Sequence, residues 1–430
     1  MACLHRLVVP LIRIPLVAAL AAAGPVALSA QTPADSTPLT LADALREAER
    51  ANAQLPIAQF DVQAAIARAR QAKGLLYPSF WLDGDVHLGT PQTYESSDAL
   101  ARVLVQTPLY EGGELRAGLA QRNAEADAMR AGYQMAVRDV DHAVRVTFSR
   151  LARARDGIAF RARGVERLQA YLAVIQSRRA AGQGVGSDLL RTQQRLAAAQ
   201  ADLADAQREL HDATLDLNDI LGRAPDTTLA IAPLPVPQSP VTPKGQPWLG
   251  TPDVAQAEAQ ERAAAAGITV ARAGRLPHVS LEADAGTAPV LGSDVALLND
   301  GRGSGAQVLL TVSLPLWDFG FYSGRMAEAN AALDQARQQG VALRRATRVA
   351  WTRAVANLTD LYQAYEAAAR SAQAAQDAYL QAESLYRGGQ GTALDVLDAY
   401  DAWIQADQAQ ADATYNYRVS QADLIRWGQS

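Results

Sequence analysis

Four segments of the chain alternate apolar and polar side chains at every second position. In the first, Phe80 and Leu82 fall on one face and Trp81 and Asp83 on the other. The four segments cover about residues 78–89, 100–110, 278–287 and 306–316. Each is about ten residues long, the length of a tilted strand that crosses a membrane. The pattern predicts four strands with one lipid face and one wetter face, or, as the alternative, two soluble hairpins packed face to face.

A second pattern repeats every seven residues and predicts long helices that pack as coiled coils. In the first half of the chain the stripe consists of Leu189, Leu196, Leu203, Leu210 and Leu217, with Thr192, Ala199, Ala206, Ala213 and Ile220 at the second apolar position. The second half has Val396, Trp403, Gln410, Tyr417 and Leu424, with Ala399, Ala406, Ala413, Ser420 and Trp427. Because many of these side chains are small, the helices are expected to approach closely. The stretch between Gly113 and Gly182 would form a rod of roughly 100 Å at about 1.5 Å per residue.

The two halves are copies of one pattern. Pro108–Gly113 returns as Pro315–Gly320, and Gly182–Asp188 returns as Gly389–Asp395 at the same spacing of 207 residues. Each copy reads as helix, strand, loop, strand, long helix, turn and helix. The predicted division is repeat 1 at residues 31–222, a proline-rich linker at 223–250 and repeat 2 at 251–430. Thr40, with Asp43 three residues on, and Thr251, before Pro252, are predicted helix N-caps.

The first thirty residues predict a secretory signal peptide. Arg6 and Arg13 precede or flank a short apolar core at residues 14–23, and small residues end at Ala30. Cys3, the single cysteine, is expected to be removed with it. The net charge of −5 for the whole chain makes nucleic-acid binding an unfavourable interpretation. Past Ala30 we find no apolar run of about 18 residues, the length that a membrane-spanning helix needs, so a membrane crossing is expected to use the strands.

Four strands cannot close a barrel in lipid, because the open edges would leave backbone groups unpaired. The chain is therefore expected to associate with copies of itself. Two copies would give eight strands with a nearly filled lumen, and three would give twelve strands with a wider one. The width of the lumen favours three copies over two only weakly.

These features resemble the TolC-like outer-membrane efflux proteins. The resemblance covers Leu39 to about Gly428 and is carried by the Pro-Leu-aromatic-acid-x-Gly motif that ends a strand in each copy, by Leu221-Gly222 and by Gly389–Ala399. It implies an α+β membrane protein: a homotrimeric, 12-stranded outer-membrane β-barrel, continued by a long coiled-coil α-helical barrel in the periplasm. It also implies a passive duct that docks onto a periplasmic adaptor and an inner-membrane transporter, with outer-membrane lipid around its strands.

The resemblance also implies roles for residues at the two helical tips. The residues expected to meet the adaptor are Gly182, Gly184, Gly186, Ser187, Gly389, Gly391 and Thr392. The strand-end motifs are marked by Pro108, Gly113, Pro315 and Gly320. Gly182 and Gly389 also fit a simpler interpretation, in which glycine merely permits the backbone turn that ends a helix.

Asp395 and Asp398 align with the aspartates that constrict the family's pore. In a threefold assembly they would form two rings of carboxylates that favour cations; alternatively, an aspartate near a helix start simply interacts with the helix dipole. Tyr386 and Asp188 align with positions that hold neighbouring hairpins closed. The family prototype's arginine in that network corresponds to Gly391, so the latch is expected to be weaker or built differently. Nearby, the side chains of Arg178 and Arg179 either pair at the first tip or stay solvated.

The sequence offers no motif for catalysis, and no cofactor or metal is expected. The five histidines are scattered without the spacing of metal ligands. Asp83, Asp85 and His87 share a strand face, for which a wet lumen wall is the favoured interpretation. Two other classes of protein are alternatives. Heptads alone would allow a soluble periplasmic coiled-coil scaffold or adaptor. A polysaccharide enzyme would need paired carboxylates in a cleft.

Overall fold

The computed structural model describes residues 38–87, 98–182, 186–241, 245–287, 298–299 and 304–427. The predicted signal peptide and the tip residue Gly184 lie outside these ranges. Within them the protein is mainly helical and has one β-sheet. None of the described helices is both long and apolar enough to cross a membrane.

The helices follow the predicted order in both repeats. Repeat 1 contributes α1 (Leu41–Ala51), α2 (Gln54–Gly74), α3 (Glu114–Ala180) and α4 (Gly186–Ile220). Repeat 2 contributes α5 (Pro252–Ala273), α6 (Phe321–Arg387) and α7 (Ala393–Trp427), with a 3₁₀ turn at Pro247–Gly250 before α5. In each repeat a helix precedes the strands and two long helices follow them.

The long helices pack in pairs, α3 with α4 and α6 with α7. Both α3 and α6 contain 67 residues, which corresponds to about 100 Å. The predicted heptad stripes lie in the helix contacts. Their buried members are Thr192, Ala206, Ala213, Leu217, Val396, Trp403, Tyr417 and Ser420. Alanine, threonine and serine at these positions let the backbones approach, whereas the Trp403 ring of α7 stacks on Tyr379 of α6.

One antiparallel sheet joins the strand pairs of both repeats. Its strands are β1 (Ser79–His87), β2 (Asp98–Glu111), β3 (His278–Thr287), β4 (Leu298–Asn299) and β5 (Ser304–Ser313), in the order β1-β2-β3-β5-β4. Because β2 pairs with β3 along its length, the two hairpins lie edge to edge. They do not pack face to face, as the alternative interpretation of the sequence required.

The two faces of the sheet differ as the alternation predicted. On the apolar face, Leu82 is 79% exposed and Val312 is also uncovered. On the other face, Asp284 is only 5% exposed, and Asp83 lies 3.4 Å from Arg102 across the β1–β2 pair. An apolar face without cover suits contact with lipid, and a polar face suits a wet interior.

The fourth predicted strand was partly wrong at its ends. It was expected at residues 306–316, but β5 begins at Ser304 and ends at Ser313. Ser313 pairs with His278, the first residue of β3, so the residues after Ser313 have no partner strand in the described part of the chain. β4, of which residues 298–299 are described, was not predicted; these two residues pair with Ala306 and Gly305.

Left-handed backbone geometry marks the point where each strand pair gives way to a long helix. Gly112 and Gly113 have φ of 60° and 87°, and their counterparts Phe319 and Gly320 have 49° and 98°. In repeat 1, Pro108 lies beside a register shift that bends the end of β2. Glycine adopts this geometry at little cost, whereas a phenylalanine is strained in it.

One predicted helix cap is confirmed and the other is wrong. The Thr40 hydroxyl accepts a hydrogen bond from the Asp43 backbone N–H and donates one to the Asp43 carboxylate, so the two residues form a capping box. The Thr251 hydroxyl instead donates to the carbonyl oxygen of Trp248 at 3.0 Å. The 3₁₀ turn before α5 places that carbonyl within reach, and Pro252 alone starts the helix as predicted.

Candidate functional site

Glycines reverse the chain at the end of each long helix. Gly182 and Gly389 have φ of 75° and 77°, and the N–H of Gly389 donates to the carbonyl oxygen of Tyr386 at 3.0 Å. The N–H of Gln390 reaches back to Leu385 at 2.9 Å, which satisfies a carbonyl that the helix end would leave free. The structural role of these glycines is therefore present, while their contact with an adaptor stays a prediction.

The remaining tip residues are accessible. Gly186 and Ser187 are exposed at the start of α4, and Thr392 is exposed before α7. Gly391 is crowded instead: an added Cβ would stand 3.2 Å from the backbone nitrogen of Tyr386. A side chain at Gly391 would therefore require a small shift of its neighbours.

Thr392 is the N-cap of α7, and Asp395 in the first turn completes a capping box with it. Its carboxylate accepts hydrogen bonds from the Thr392 backbone N–H at 2.9 Å and from the Thr392 hydroxyl at 2.7 Å, and its own N–H donates to that hydroxyl at 3.2 Å. The backbone hydrogen bond from Thr392, followed by that from its hydroxyl, lowers the pKa of Asp395. The helix-start interpretation of Asp395 is therefore realised in the structure, and the carboxylate remains exposed.

Asp398 follows one turn later on the same helix and is exposed. Its negative charge contributes to a raised pKa at Asp401, although burial is the main cause there. Repeat 1 differs at these positions, because Asp188 matches Asp395 but Arg191 matches Asp398. The matching positions therefore carry two acids at the second tip, and one acid and one base at the first.

Tyr386 is buried where the first helix pair meets the second. Its ring lies edge-on to Tyr171 of α3, with ring centres 5.3 Å apart, and the Arg178 guanidinium lies over its face. Arg178 Nη2 also donates to the carbonyl oxygens of Tyr386 and Arg387 at 2.7 and 3.0 Å. Of the two interpretations of Arg178, pairing at the tip is confirmed.

Asp188 lies near this contact, in the first turn of α4. Burial raises the pKa of Tyr171, and the neighbouring Tyr386 and Asp188 raise it further. The structure thus brings Asp188 and Tyr386 together around Tyr171, a residue that the sequence did not single out. Its counterpart in repeat 2 is Ala378, so comparison of the repeats gave no signal for it.

Ion pairs join the two helix pairs above the tips. Arg195 of α4 pairs with Asp401 of α7, and Arg153 of α3 pairs with Asp412 of α7 at 2.9 Å. Closer to the tip, the buried Glu383 of α6 lies 3.9 Å from Arg167 of α3 and also pairs with Arg387 of its own helix. The two helix pairs are therefore joined by polar contacts between elements that are far apart in the sequence.

Exposed leucines accompany these polar groups. Leu190 is 67% exposed, and Leu394 is also exposed. Their positions beside the turns leave apolar surface at both tips. Single exposed leucines are common on proteins. These two do not occupy matching positions of the repeats, because the counterpart of Leu190 is the buried Leu397.

Asp83, Asp85 and His87 share one face of β1, but the side chains of Asp85 and His87 lie outside the described residues. Within the described ranges, no three His, Cys, Asp or Glu side chains come close enough together to hold a metal ion. Asp83 pairs with Arg102, which fits a polar inner wall.

Comparison with known proteins agrees with this architecture. The family model for outer membrane efflux proteins matches residues 44–223 and again residues 249–427, one match for each repeat. The chain is 22% identical over 396 residues to the outer membrane efflux protein BepC of Brucella suis biovar 1, covering 90% of this chain and 84% of BepC.

Solved structures show the same fold at low sequence identity. CusC superposes with a TM-score of 0.82 and 21% identity, over 91% of this chain and 92% of CusC. The open state of the Neisseria gonorrhoeae MtrE outer membrane channel gives 0.79 and 21%, over 90% and 88%. The Vibrio cholerae outer membrane protein VceC gives 0.77 and 20%, over 90% and 95%. The chain belongs to the outer membrane efflux protein family and forms an efflux duct of the outer membrane, with its long helices in the periplasm.

Proposed function

We propose that three copies of this chain form one passive duct, opened at its helical tips by a periplasmic adaptor and an inner-membrane transporter. The observation that carries the assembly is the pair of incomplete sheet edges. β1 pairs only with β2, and the far side of β5 meets only the two residues of β4 in the described ranges. In hydrocarbon such edges are too costly to leave open, so they must pair with edges of other copies.

Three copies give a barrel of twelve main strands with a lumen wide enough for solutes, whereas two copies would nearly fill it. The polar inner face, with Asp83 paired to Arg102 and Asp284 buried, supports a wet passage. The uncovered apolar face, with Leu82 and Val312, supports contact with outer-membrane lipid. Conduction needs no chemistry from the chain itself, so the energy comes from the transporter.

The tips are the proposed point of control. Arg178, Tyr386, Tyr171 and Asp188 hold the two helix pairs of one protomer together, and the exposed Leu190 and Leu394 offer apolar surface to an adaptor. An adaptor that binds these surfaces better in the dilated state would open the tip by its differential affinity. This surface includes or adjoins six of the residues predicted to meet an adaptor: Gly182, Gly186, Ser187, Gly389, Gly391 and Thr392.

The exposed Asp395 and Asp398 are proposed to line the narrow throat of the assembly. Threefold symmetry would place three copies of each carboxylate around one axis, which favours cations over anions. Asp395 keeps this role while it caps α7, because its capping hydrogen bonds leave the carboxylate exposed.

Mass measurement in detergent tests the assembly. Purified protein is expected to run as a trimer that resists SDS until it is heated, and the membrane-bound fraction is expected to resist a high-salt wash. A soluble monomer, or release by salt alone, would contradict the proposal and favour a periplasmic scaffold.

A further inference from the structure

The contact between the two repeats inside one chain shows how a strand end is covered. Where β2 meets β3, the Glu111 carboxylate lies 2.5 Å from Nδ1 of His278. Next to it, Gly112 approaches so closely that an added Cβ would stand 2.8 Å from the carbonyl oxygen of Ala273 and 2.8 Å from Cβ of Leu276. Gly112 and Ala273 are both buried. We call this contact the internal junction.

The counterparts of these residues in the other repeat do not contact each other within one chain, and both sides are exposed. Phe319 stands where repeat 1 has Gly112, and it is 94% exposed. Gly74 and Tyr77 stand where repeat 2 has Ala273 and Leu276. Tyr77 is 58% exposed, and an added Cβ on Gly74 would meet no atom within 4 Å. Within one chain, each half lacks its partner.

Strand direction brings the two halves together between copies. β5 runs toward Phe319 and ends at Ser313. β1 starts at Ser79, just after Tyr77, and runs away from the end of α2. If β5 of one copy pairs with β1 of the next in the register that β2 and β3 use, Trp317 lies opposite Phe80 and Asp318 opposite Ser79. The unpaired residues after Ser313 then gain a partner strand, which accounts for the predicted strand extending to residue 316.

Backbone strain indicates that the Phe319 side chain has a purpose. Its φ of 49° is left-handed, a conformation that costs a residue with a side chain roughly 1–2 kcal/mol and glycine almost nothing. At 94% exposure the ring is almost uncovered within its own chain, where it meets Trp317 edge-on with ring centres 5.9 Å apart. A contact made in the assembly would explain why this residue is both strained and uncovered in the single chain.

We propose that Phe319 of each copy packs over Gly74 and against Tyr77 of the next copy, as a knob in a recess that only glycine leaves open. The inference rests on the proposed trimer. The internal junction has a glycine facing alanine and leucine, whereas the junction between copies has phenylalanine facing glycine and tyrosine. Since the Phe319 Cβ prevents the close approach that Gly112 permits, the second junction is wider and the ring fills it. Because the two junctions pack different side chains, a strand end that fits one junction fits the other poorly, which disfavours pairing of the wrong strand edges.

Disulfide cross-linking tests the contact directly, because Cys3 is the only natural cysteine. The junction pair Phe319→Cys with Tyr77→Cys is expected to give covalent trimers under oxidation. The pair Val312→Cys with Gly84→Cys reports strand pairing alone. The pair Phe319→Cys with Leu380→Cys, about 60 residues apart along α6 or roughly 90 Å, is the negative control.

The three pairs separate the two proposals. Cross-linking of the strand pair without the junction pair would overturn the Phe319 contact and leave the trimer standing. Failure of both pairs would overturn the trimer and the contact together. Cross-linking of the negative control would show that the reaction is unspecific and would remove the support of the junction pair.

A size-exchange experiment tests the recess without cysteines. Gly74→Leu fills open space in the single chain but collides with Phe319 of the next copy, so the trimer-to-monomer ratio in SDS is expected to fall by at least about tenfold. Adding Phe319→Gly is expected to restore much of it, while Gly267→Leu, at another helix glycine with open space around it, should leave the ratio unchanged. If Phe319 instead anchored in lipid, Gly74→Leu would have no effect, and that result would overturn the inference.

Discussion

Arg178 of α3 is bound to Tyr386 of α6 in two ways at once. Its Nη2 donates to the Tyr386 carbonyl oxygen at 2.7 Å, and its guanidinium carbon lies 4.4 Å from the centre of the Tyr386 ring. One side chain thus satisfies a carbonyl at the end of α6 and covers the aromatic ring below it. Since α3 and α6 belong to different repeats, this contact ties one helix pair to the other at the tip.

Removal of Arg178 is expected to weaken the closed tip. Charge-assisted hydrogen bonds contribute about 1.5–3 kcal/mol each, and partial exposure reduces this, so Arg178→Ala should shift the equilibrium by about 1–2 kcal/mol, or roughly five- to thirtyfold in open population. Single-channel recording of purified protein in a planar bilayer measures it. The neighbouring exposed residue offers a matched control, Arg179→Ala. Equal opening by both variants would mean that the Arg178 contacts do not hold the tip.

Neutralising the two acids of the second tip is expected to change ion selectivity. Asp395→Asn together with Asp398→Asn should reduce the preference for cations and weaken block by multivalent cations, because both rings of negative charge disappear. Reversal potentials in a salt gradient report the change. Asp360→Asn removes an exposed acid from the middle of α6 and should leave selectivity as it was. Unaltered block in the double variant would place the two residues outside the throat.

The cap of α7 is expected to weaken in acid. Hydrogen bonds from Thr392 lower the pKa of Asp395 below its ordinary value of 3.8, so the folded state favours the charged carboxylate. This stabilisation is complete above about pH 4–5 and is lost as the pH falls through the lowered pKa. Limited proteolysis at the second tip, followed between pH 2 and 6 with an acid-active protease such as pepsin, should show faster cleavage only at the acid end.

A comparison variant isolates the cap from general acid effects. Thr392→Ala removes the hydroxyl partner of Asp395, so cleavage at the second tip should already be faster near pH 6 and should rise less on acidification. The same pH response in Thr392→Ala and in the natural protein would contradict a role for the Asp395–Thr392 hydrogen bonds.

The ion pair between Arg195 and Asp401 is expected to resist tip opening, because it joins α4 to α7. A double-mutant cycle with Arg195→Ala and Asp401→Ala should give a coupling of about 0.5–1.5 kcal/mol in the opening equilibrium, a value reduced for partial exposure. The pair Arg208–Asp212 lies within α4 alone at 3.4 Å and provides the control cycle. Similar coupling energies in both cycles would show that the Arg195–Asp401 pair has no special effect on opening, although it joins α4 to α7.

Local patterns foretold the elements well. Alternation placed β1 and β3 within a residue or two of their ends, because side chains on a strand point to opposite faces in strict turn. The repeat of Gly182 as Gly389 located both turns, since each needs a left-handed residue. The fourth strand was wrong at its end, because a strand ends where its hydrogen-bonding partner ends, and that partner is not adjacent in the sequence.

The contacts that close the tip were much less accessible to sequence reasoning. A basic residue such as Arg178 in the last turn of a helix is favourable in any helix, so its presence alone did not identify the carbonyl oxygens that it binds. The sequence gave no signal for the burial of Tyr171, because a residue is buried between two helix pairs only where the pairs meet in the tertiary structure. The sequence left Asp395 as a helix-start residue or a pore residue; the hydrogen bonds with Thr392 establish the first role, and the pore role stays a prediction.

The sequence alone determined which segments are strands and long helices, that the chain repeats, and that its sheet needs other copies, because periodicity and backbone hydrogen bonding are local requirements. The tertiary structure decided that β2 joins β3, that Arg178 reaches Tyr386, and that Phe319 and Gly74 remain uncovered. These depend on the relative placement of distant segments, which side-chain packing determines and periodicity does not.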